Sequence, residues 1–318
     1  MKKIAKVIFI ILCIYCIVST ALFIYIIKNR ESFFLPIGTK QITPTFQNSL
    51  ATGYPIEPSA EPSITYGEPS EIIVENVQEL FNALKSNTKI LLKPGTYNLD
   101  DITSEVIIDS IENITIEGMG EDPVNLQIED PNKIVIKFVN CKNILLKNLR
   151  IGHTFILDPG YCSAEVLYFT RCREINIEKS ELYGCGAYGF VLSNVDGFNF
   201  INSVITDCSM GLLAIYNSNN IMILDSILEN SGGFDLFSID RSKNVIFDNC
   251  DIRGNEIWSF EYEHYYLFSV VGESEVKVKN SRITDNKAHY FEYGKGSVIL
   301  ENTILKDNVF SEGEYEYE

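Results

Sequence analysis

A short pattern of alternating apolar and polar residues recurs six times in the C-terminal half of the chain. Each copy has apolar residues at its first and third positions and Asn, Asp or Lys at its fifth. Ser, Thr or Cys follows at the sixth position, and Ile or Leu closes the pattern at the eighth. The copies begin at Ile175, Phe198, Ile221, Val245, Val276 and Val298, in steps of 23, 23, 24, 31 and 22 residues. Alternation with period two is typical of a strand with one buried face. A fixed period of this length predicts a solenoid.

A second column of apolar residues precedes each copy by eight positions and predicts another strand in every repeat. Its members are Leu167, Phe190, Leu213, Phe237, Phe268 and Tyr290. The repeat is too short for a strand plus a crossover helix, which needs ~30 residues or more. Three short strands per coil fit instead, so that stacked coils build three parallel sheets at ~4.8 Å per step.

Two columns of small polar residues mark the turns of the predicted coils. The first is Lys179-Ser180, Asn202-Ser203, Asp225-Ser226, Asn249-Cys250, Asn280-Ser281 and Asn302-Thr303. The second is Cys185, Cys208, Ser231, Asn255, Asn286 and Asn308. Asn and Asp tolerate left-handed turn geometry, and stacked polar side chains can form hydrogen-bonded ladders.

These features resemble the right-handed parallel β-helix of the pectate-lyase-like superfamily, between about Ile90 and Asn308. The resemblance implies an all-β solenoid, and its handedness agrees with the right-handed crossover preference. Val77, Leu80, Phe81 and Leu84 share one helical face, which predicts a helix capping the N-terminal end. The resemblance names no activity, because the polygalacturonase, alginate-epimerase and pectate-lyase signatures are absent.

The region before the solenoid predicts a membrane anchor and a linker. From Val7 to Ile27 the chain has 21 uncharged residues, ~32 Å as a helix and enough to span a bilayer. A cleaved signal peptide is the alternative, but the bulky end of the segment lacks a small-residue cleavage site. We therefore expect a single-pass protein of the cell membrane, with residues 1–30 as cytoplasmic N-terminus and anchor. Residues 31–70, with six of the ten prolines, form a linker, residues 71–308 the extracytoplasmic β-helix and residues 309–318 an acidic tail.

The net charge of the part predicted to lie outside the membrane limits which classes of molecule it can bind. Residues 31–318 carry 21 basic and 43 acidic residues, a net charge of −22. This charge argues against nucleic acid and anionic membrane surfaces. It also argues against polyanionic glycans unless calcium bridges the charges. No metal site or other cofactor is expected, with calcium kept as an alternative.

Four cysteines fall at matching positions of successive coils, Cys141 with Cys172 and Cys185 with Cys208. Stacked residues lie ~4.8 Å apart, which is within the range of a disulfide. The alternative is that they are buried thiols at ladder positions where small residues fit.

Two insertions interrupt the period, at residues 152–165 and 255–266, and both should emerge on one edge of the solenoid. They are four coil steps apart, ~19 Å, and could frame a groove. The candidate ligand-binding residues are Tyr168, Arg171, Tyr216, Asp240, Arg241, Trp258 and Tyr262. Aromatic rings with a few carboxylates suit neutral sugars.

Candidate catalytic residues are Asp235 and Asp240, as a carboxylate pair for hydrolysis, and His153, Asp158, Arg171 and His264, as a base and cation for a lyase. With 43 acidic residues, chance alone produces some cluster. The sequence thus favours a membrane-anchored module binding carbohydrate or cell-envelope partners. A polysaccharide lyase or glycoside hydrolase acting in the groove, and a structural spacer without ligand, are the alternatives.

Overall fold

The computed structural model describes residues 68–101, 105–154, 163–184, 186–257, 265–293 and 296–311. They form a parallel β-helix, as predicted, with one α-helix, Val77–Ala83, and one 3₁₀ turn, Leu99–Asp101. Within these residues no helix is long and apolar enough to cross a membrane. The predicted anchor from Val7 to Ile27 lies outside them.

From Ile107 onward each coil contributes one strand to each of three parallel sheets, numbered here in the order in which such a coil visits them. Sheet 1 holds Ile107–Asp109, Ile136–Val139, Leu167–Thr170, Phe190–Ser193, Leu213–Tyr216, Phe237–Asp240, Tyr266–Val271 and Tyr290–Tyr293. Sheet 2 holds Ser70–Val74, Thr88–Leu92, Glu112–Gly118, Lys142–Lys147, Arg173–Glu178, Asp196–Ile201, Asn219–Leu224, Lys243–Asp248, Val276–Lys279 and Val298–Glu301. Sheet 3 holds Thr96–Asn98, Val124–Ile128, Leu149–His153, Glu181–Tyr183, Val204–Thr206, Ile227–Glu229, Asp251–Arg253, Arg282–Thr284 and Ile304–Lys306. A short pair, Lys287–Ala288 with Val309–Phe310, lies beyond sheet 3.

The register follows the sequence repeat except in sheet 1 of the last coil, where Tyr290 pairs with Tyr266 and Glu292 takes the place predicted for Tyr290 opposite Phe268. Ile175 pairs with Phe198 in sheet 2, and Leu167 pairs with Phe190 in sheet 1, as the equal spacing predicts. Inward side chains of all three sheets form one continuous core. Its phenylalanines stack along the axis, with ring centroids 4.9 Å apart for Phe138 and Phe169. The stacking gives each coil a partner for its apolar side, which a single coil lacks.

Left-handed residues close the turn between sheets 2 and 3 in every repeat. Lys179, Asn202 and Asp225 have φ of 49°, 48° and 50°. In four of the six repeats a buried serine follows the turn, and its hydroxyl accepts a hydrogen bond from a backbone N–H one coil earlier. The Ser180 N–H donates to Ser203 Oγ at 3.1 Å in this way. The first predicted column therefore stabilises the turns.

The second polar column forms a buried ladder. Ser231 Oγ accepts the Cys208 N–H at 3.0 Å, and Asn255 Oδ1 accepts the Ser231 N–H at 3.0 Å. Asn255 Nδ2 then donates to Asn286 Oδ1 at 2.8 Å, and Asn286 Nδ2 to Asn308 Oδ1 at 2.9 Å. Cys185, the first predicted member, lies outside the described residues.

The described cysteines are free thiols rather than disulfides. Cys141, Cys172, Cys208 and Cys250 are all buried and unpaired. Cys141 and Cys172 do occupy successive coils, and the Cys141 N–H donates to Cys172 Sγ at 3.4 Å. The thiols thus fill ladder positions, as the second interpretation of the sequence expected, and the pairing of Cys185 stays untested.

The helix Val77–Ala83 lies against the first two strands of sheet 2, at the N-terminal end. Asn76 caps it by accepting the Glu79 N–H at 2.9 Å, while the Glu79 carboxylate accepts the Glu75 N–H. This reciprocal capping fixes where the helix begins. Leu80 and Ala83 are buried against the core, so the predicted cap helix is present.

Candidate functional site

The outer face of sheet 1 carries three parallel rows of side chains, which together are called the sheet 1 face. The middle row is Lys137, Tyr168, Val191, Ala214, Ser238, Ser269 and Tyr293. The far row is Val139, Thr170, Ser193, Tyr216, Asp240 and Val271. The edge row starts the strands or lies in the bends before them, and comprises Glu165, Tyr188, Gly211, Asp235, Tyr266 and Tyr290. Residues 152–165 and 255–266, the predicted insertions, both lead into the edge row.

At the centre of the edge row the Tyr188 ring lies against Gly211. A Cβ atom on Gly211 would stand 2.7 Å from Tyr188 Cε1 and 2.5 Å from the backbone oxygen of Asp235. Glycine is therefore required by this close approach rather than by a turn. Burial raises the pKa of the Tyr188 phenol, and the nearby Tyr216, Asp235 and Glu165 raise it further. The phenol thus lies within electrostatic reach of both carboxyl groups.

The two carboxyl groups of the edge row are partly buried. Burial raises the pKa of Glu165, although Lys137 opposes the shift. Burial likewise raises the pKa of Asp235, against hydrogen bonds from the Tyr266 N–H at 2.8 Å and the Ser269 hydroxyl. Both groups keep their proton to a higher pH than an exposed carboxyl does.

Three tyrosines form an aromatic surface at the C-terminal end of the face, called here the tyrosine platform. The rings of Tyr266 and Tyr290 are stacked, with centroids 5.2 Å apart, and Tyr293 meets Tyr266 edge-on at 5.2 Å. Tyr293 is 49% exposed. Because the Tyr266 N–H binds Asp235, the platform is directly connected to a carboxyl group of the edge row.

The ligand-binding residues predicted from the sequence lie in two places: on the sheet 1 face, and in the turns that follow its far row, called here the far border. Tyr168 lies beneath the Lys137 ammonium, 5.3 Å from the ring centroid. Tyr216 and Asp240 share the far row. Arg171 and Arg241 lie in the left-handed turns after sheet 1, where Arg241 pairs with Asp240 at 2.7 Å. Trp258 and Tyr262 are outside the described residues.

His153 is not part of this face. It ends a strand of sheet 3, is fully buried, and shares a hydrogen bond between Nε2 and the Lys133 oxygen at 2.9 Å. Burial lowers the pKa of His153. The structure thus places His153 away from Asp235 and Asp240, which lie on the same face. Asp158 and His264 are outside the described residues.

Acidic residues also line a depression of about 620 Å³ beside the end of sheet 3. They are Asp100, Glu129 and Asp130, and Lys133 lies 4.0 Å from Asp100 and 3.8 Å from Asp130. In the part of the chain that the structure describes, no group of three His, Cys, Asp or Glu residues is placed to hold a metal ion. Calcium therefore stays a prediction from the sequence.

Sequence reasoning missed Glu165, Tyr188, Tyr290 and Tyr293 as surface residues of the site. The alternation of sheet 1 strands predicts which strand residues point outward, but the edge row precedes most strands. In the bend, Val166 and Leu167 are both buried, so the alternation breaks and Glu165 turns outward. A signal existed in the equal spacing of Glu165, Tyr188 and Gly211, which are 23 residues apart.

The chain is similar to known proteins that contain a β-helix. Residues 165–315 match the family model of the right handed beta helix region. The fold is a right-handed parallel β-helix. A pectin methylesterase from Aspergillus niger is similar over 74% of this chain and 82% of its own, at 13% identity and a TM-score of 0.48. A pectate lyase from Bacillus sp. N165, in complex with trigalacturonate, is similar over 77% and 82%, at 15% identity and a TM-score of 0.43.

A third similar structure is a pectin methylesterase from Yersinia enterocolitica, over 72% of this chain and 93% of its own, at 12% identity and a TM-score of 0.41. The names of all three describe enzymes that act on carbohydrate. A search of curated proteins found no match.

Proposed function

We propose that this protein is a carbohydrate-binding β-helix module whose ligand lies along the sheet 1 face. The observation that carries the proposal is the tyrosine platform beside the carboxyl group of Asp235. Aromatic rings stack on the apolar faces of sugar rings, and carboxyl groups hydrogen-bond their hydroxyls. From Tyr168 to Tyr293 the face spans five coil steps, ~24 Å, the length of an extended oligosaccharide. Val191 and Ala214 in the middle row are buried, so the ligand would contact the flanking rows at the centre of the face.

The proposal places the module outside the cell, held at the membrane by the segment from Val7 to Ile27. The net charge of −22 on residues 31–318 and the proline-rich linker support this location. The anchor predicts that the protein stays in the membrane fraction after a carbonate wash and keeps its N-terminus. A mature chain that starts after Ser19 would show cleavage instead.

The direct test is a glycan array probed with the full-length protein in detergent, with and without calcium. Tyr293→Ala removes an exposed ring of the platform, and stacked aromatic contacts are worth ~0.5–1.5 kcal/mol, so binding should weaken about 2- to 12-fold. Met222→Ala is the matched control, because Met222 points outward from sheet 2 and lies away from the platform. Equal affinities of both variants and the wild type would argue against this face.

A carbohydrate-active enzyme, either a glycoside hydrolase or a polysaccharide lyase, is the second candidate. It is favoured by one observation, the presence of two carboxyl groups with raised pKa, Glu165 and Asp235, on the same face. Any glycan that binds should be assayed for new reducing ends and for unsaturated products. Turnover that is lost in Glu165→Gln or Asp235→Asn, with binding kept, would support the enzyme. Binding without turnover supports the module, and no binding to any glycan supports a structural spacer.

A further inference from the structure

The edge row holds two carboxyl groups, and one of them, Asp235, has no basic group acting on it in the described part of the chain. Among the described residues, Lys137 is the basic group that acts on Glu165, and none acts on Asp235. Asp235 instead accepts hydrogen bonds from the Tyr266 N–H and the Ser269 hydroxyl, which are neutral donors. The centre of the face is therefore a region of negative charge whenever these carboxyl groups are ionised.

The basic groups around the face either lie several coil steps from Asp235 or already pair with a carboxylate. Lys137 lies over the Tyr168 ring at 5.3 Å. Arg241 binds Asp240 at 2.7 Å and donates from Nε to Asn217 at 2.9 Å. Lys137 lies four coil steps, ~19 Å, from the coil of Asp235, and a ligand carboxylate would have to displace Asp240 to bind Arg241.

Arg171 lies at the other end of this border, three coil steps or ~14 Å from Arg241. Its Nε donates to Asn140 Oδ1 at 2.7 Å, and its charge helps to lower the pKa of Asp109. A uronate chain needs compensating cations when it loses water, and beside Asp235 the described part of this face offers only Arg241, which already pairs with Asp240.

We infer that the sheet 1 face takes uncharged glycans and rejects uronate chains, with Glu165 and Asp235 as the residues that set this preference. The inference rests on the proposed carbohydrate-binding function and names its ligand class. Hydroxyl groups of a neutral sugar can donate to both carboxylates and accept from the Tyr188 phenol, which lies between them. A uronate at the same place would bring a third negative charge next to two that are only partly screened by water.

The test uses matched ligand pairs, so that the sugar backbone is not a variable. Each pair consists of a neutral oligosaccharide and the same chain oxidised at C6 to the uronate, for glucan, galactan and mannan backbones. The full-length protein in detergent is titrated with each at pH 7, in the presence of a calcium chelator. The wild type should bind the neutral member of its preferred pair at least tenfold more tightly than the uronate member.

Two double variants locate the cause of the preference. Glu165→Gln with Asp235→Asn keeps the shape of both side chains and removes both charges, so the ratio of neutral to uronate affinity should fall to less than threefold. Glu121→Gln with Glu178→Gln removes the same charge from an exposed turn and from sheet 2, and should keep the wild-type preference. Thermal melting confirms that each variant is folded.

The possible results distinguish a failure of the inference about neutral glycans from a failure of the proposed carbohydrate-binding function. Equal or tighter binding of the uronate member by the wild type would overturn the inference and leave carbohydrate binding standing. An unchanged preference in the Glu165 and Asp235 double variant would also overturn it, because these residues would not set the preference. Binding to no member of any pair would overturn the proposed function, and the inference with it.

Discussion

Asn286 is the member of the buried ladder whose loss should cost the most stability. Its side chain is fully buried, and Nδ2 lies 3.0 Å from the oxygens of Ile252 and Thr284 and 2.9 Å from Asn308 Oδ1. Its Oδ1 accepts the backbone N–H of Asn255 at 3.2 Å and the Asn255 amide at 2.8 Å. Asn286→Ala removes all these contacts and leaves the partners inside the solenoid.

The expected magnitude follows from the buried groups that lose their partner. An unsatisfied buried donor or acceptor costs ~1–3 kcal/mol, and Asn286→Ala leaves at least two, the Asn255 backbone N–H and the Ile252 oxygen. The coils around Asn286 should thus lose about 4 kcal/mol of local stability. Asn199→Ala is the matched control. Its amide makes one hydrogen bond, 2.9 Å to Asn176 on the half-exposed outer face of sheet 2, worth ~0.5–1.5 kcal/mol.

Native-state hydrogen exchange measures the effect where it occurs, because solenoids open locally rather than as one unit. The backbone amides of Asp251–Arg253 and Arg282–Thr284 flank Asn286 in sheet 3. At 1.4 kcal/mol per tenfold, they should exchange about 1,000-fold faster in Asn286→Ala. They should be nearly unchanged in Asn199→Ala. Equal exchange rates in the two variants would refute the reasoning that the ladder stabilises these coils.

Three further predictions follow from the packing of the site and the core. Because burial raises the pKa of Asp235 in the folded protein, the contribution of Asp235 to stability is fully present below the ordinary carboxyl pKa and is lost as pH rises through the raised pKa. Asp235→Asn should therefore lessen the loss of melting temperature between about pH 4 and pH 7, and an unaltered pH profile would contradict the burial. Gly211→Ala should lower the melting temperature and change the near-UV circular dichroism of Tyr188, since the new methyl group has no room; a wild-type spectrum would contradict this. Cys141 and Cys172 should resist alkylation in the native protein and react after unfolding, and rapid native labelling would show that these thiols are accessible.

The fold was predictable because each coil repeats the same pattern of buried apolar residues and polar turn residues. The equal spacing of Ile175, Phe198 and Ile221 identifies residues that stack in register, and the structure pairs them in that order. The polar column ending in Asn286 and Asn308 was predictable for the same reason. A buried amide in a solenoid has its equivalent one coil away as its nearest partner.

The site was less predictable because it depends on where the repeat is broken. Tyr168 and Asp240 follow strand alternation, so the sequence placed them on the outer face. Glu165 and Asp235 lie in bends, where alternation does not apply, and only the fold turns them toward Tyr188. Their raised pKa values depend on burial by side chains from other coils, which a linear pattern does not encode.

Hydroxyl-radical footprinting of the full-length protein, with and without a glycan that it binds, tests the central claim most directly. Tyr293 is 49% exposed and should be labelled less when the glycan is bound, together with Tyr168 and Tyr216 on the same face. Met222, on the outer face of sheet 2, should be labelled equally in both states. Protection of Met222 with full labelling of Tyr293 would place the ligand on another face, and failure of every glycan to bind would contradict carbohydrate recognition itself.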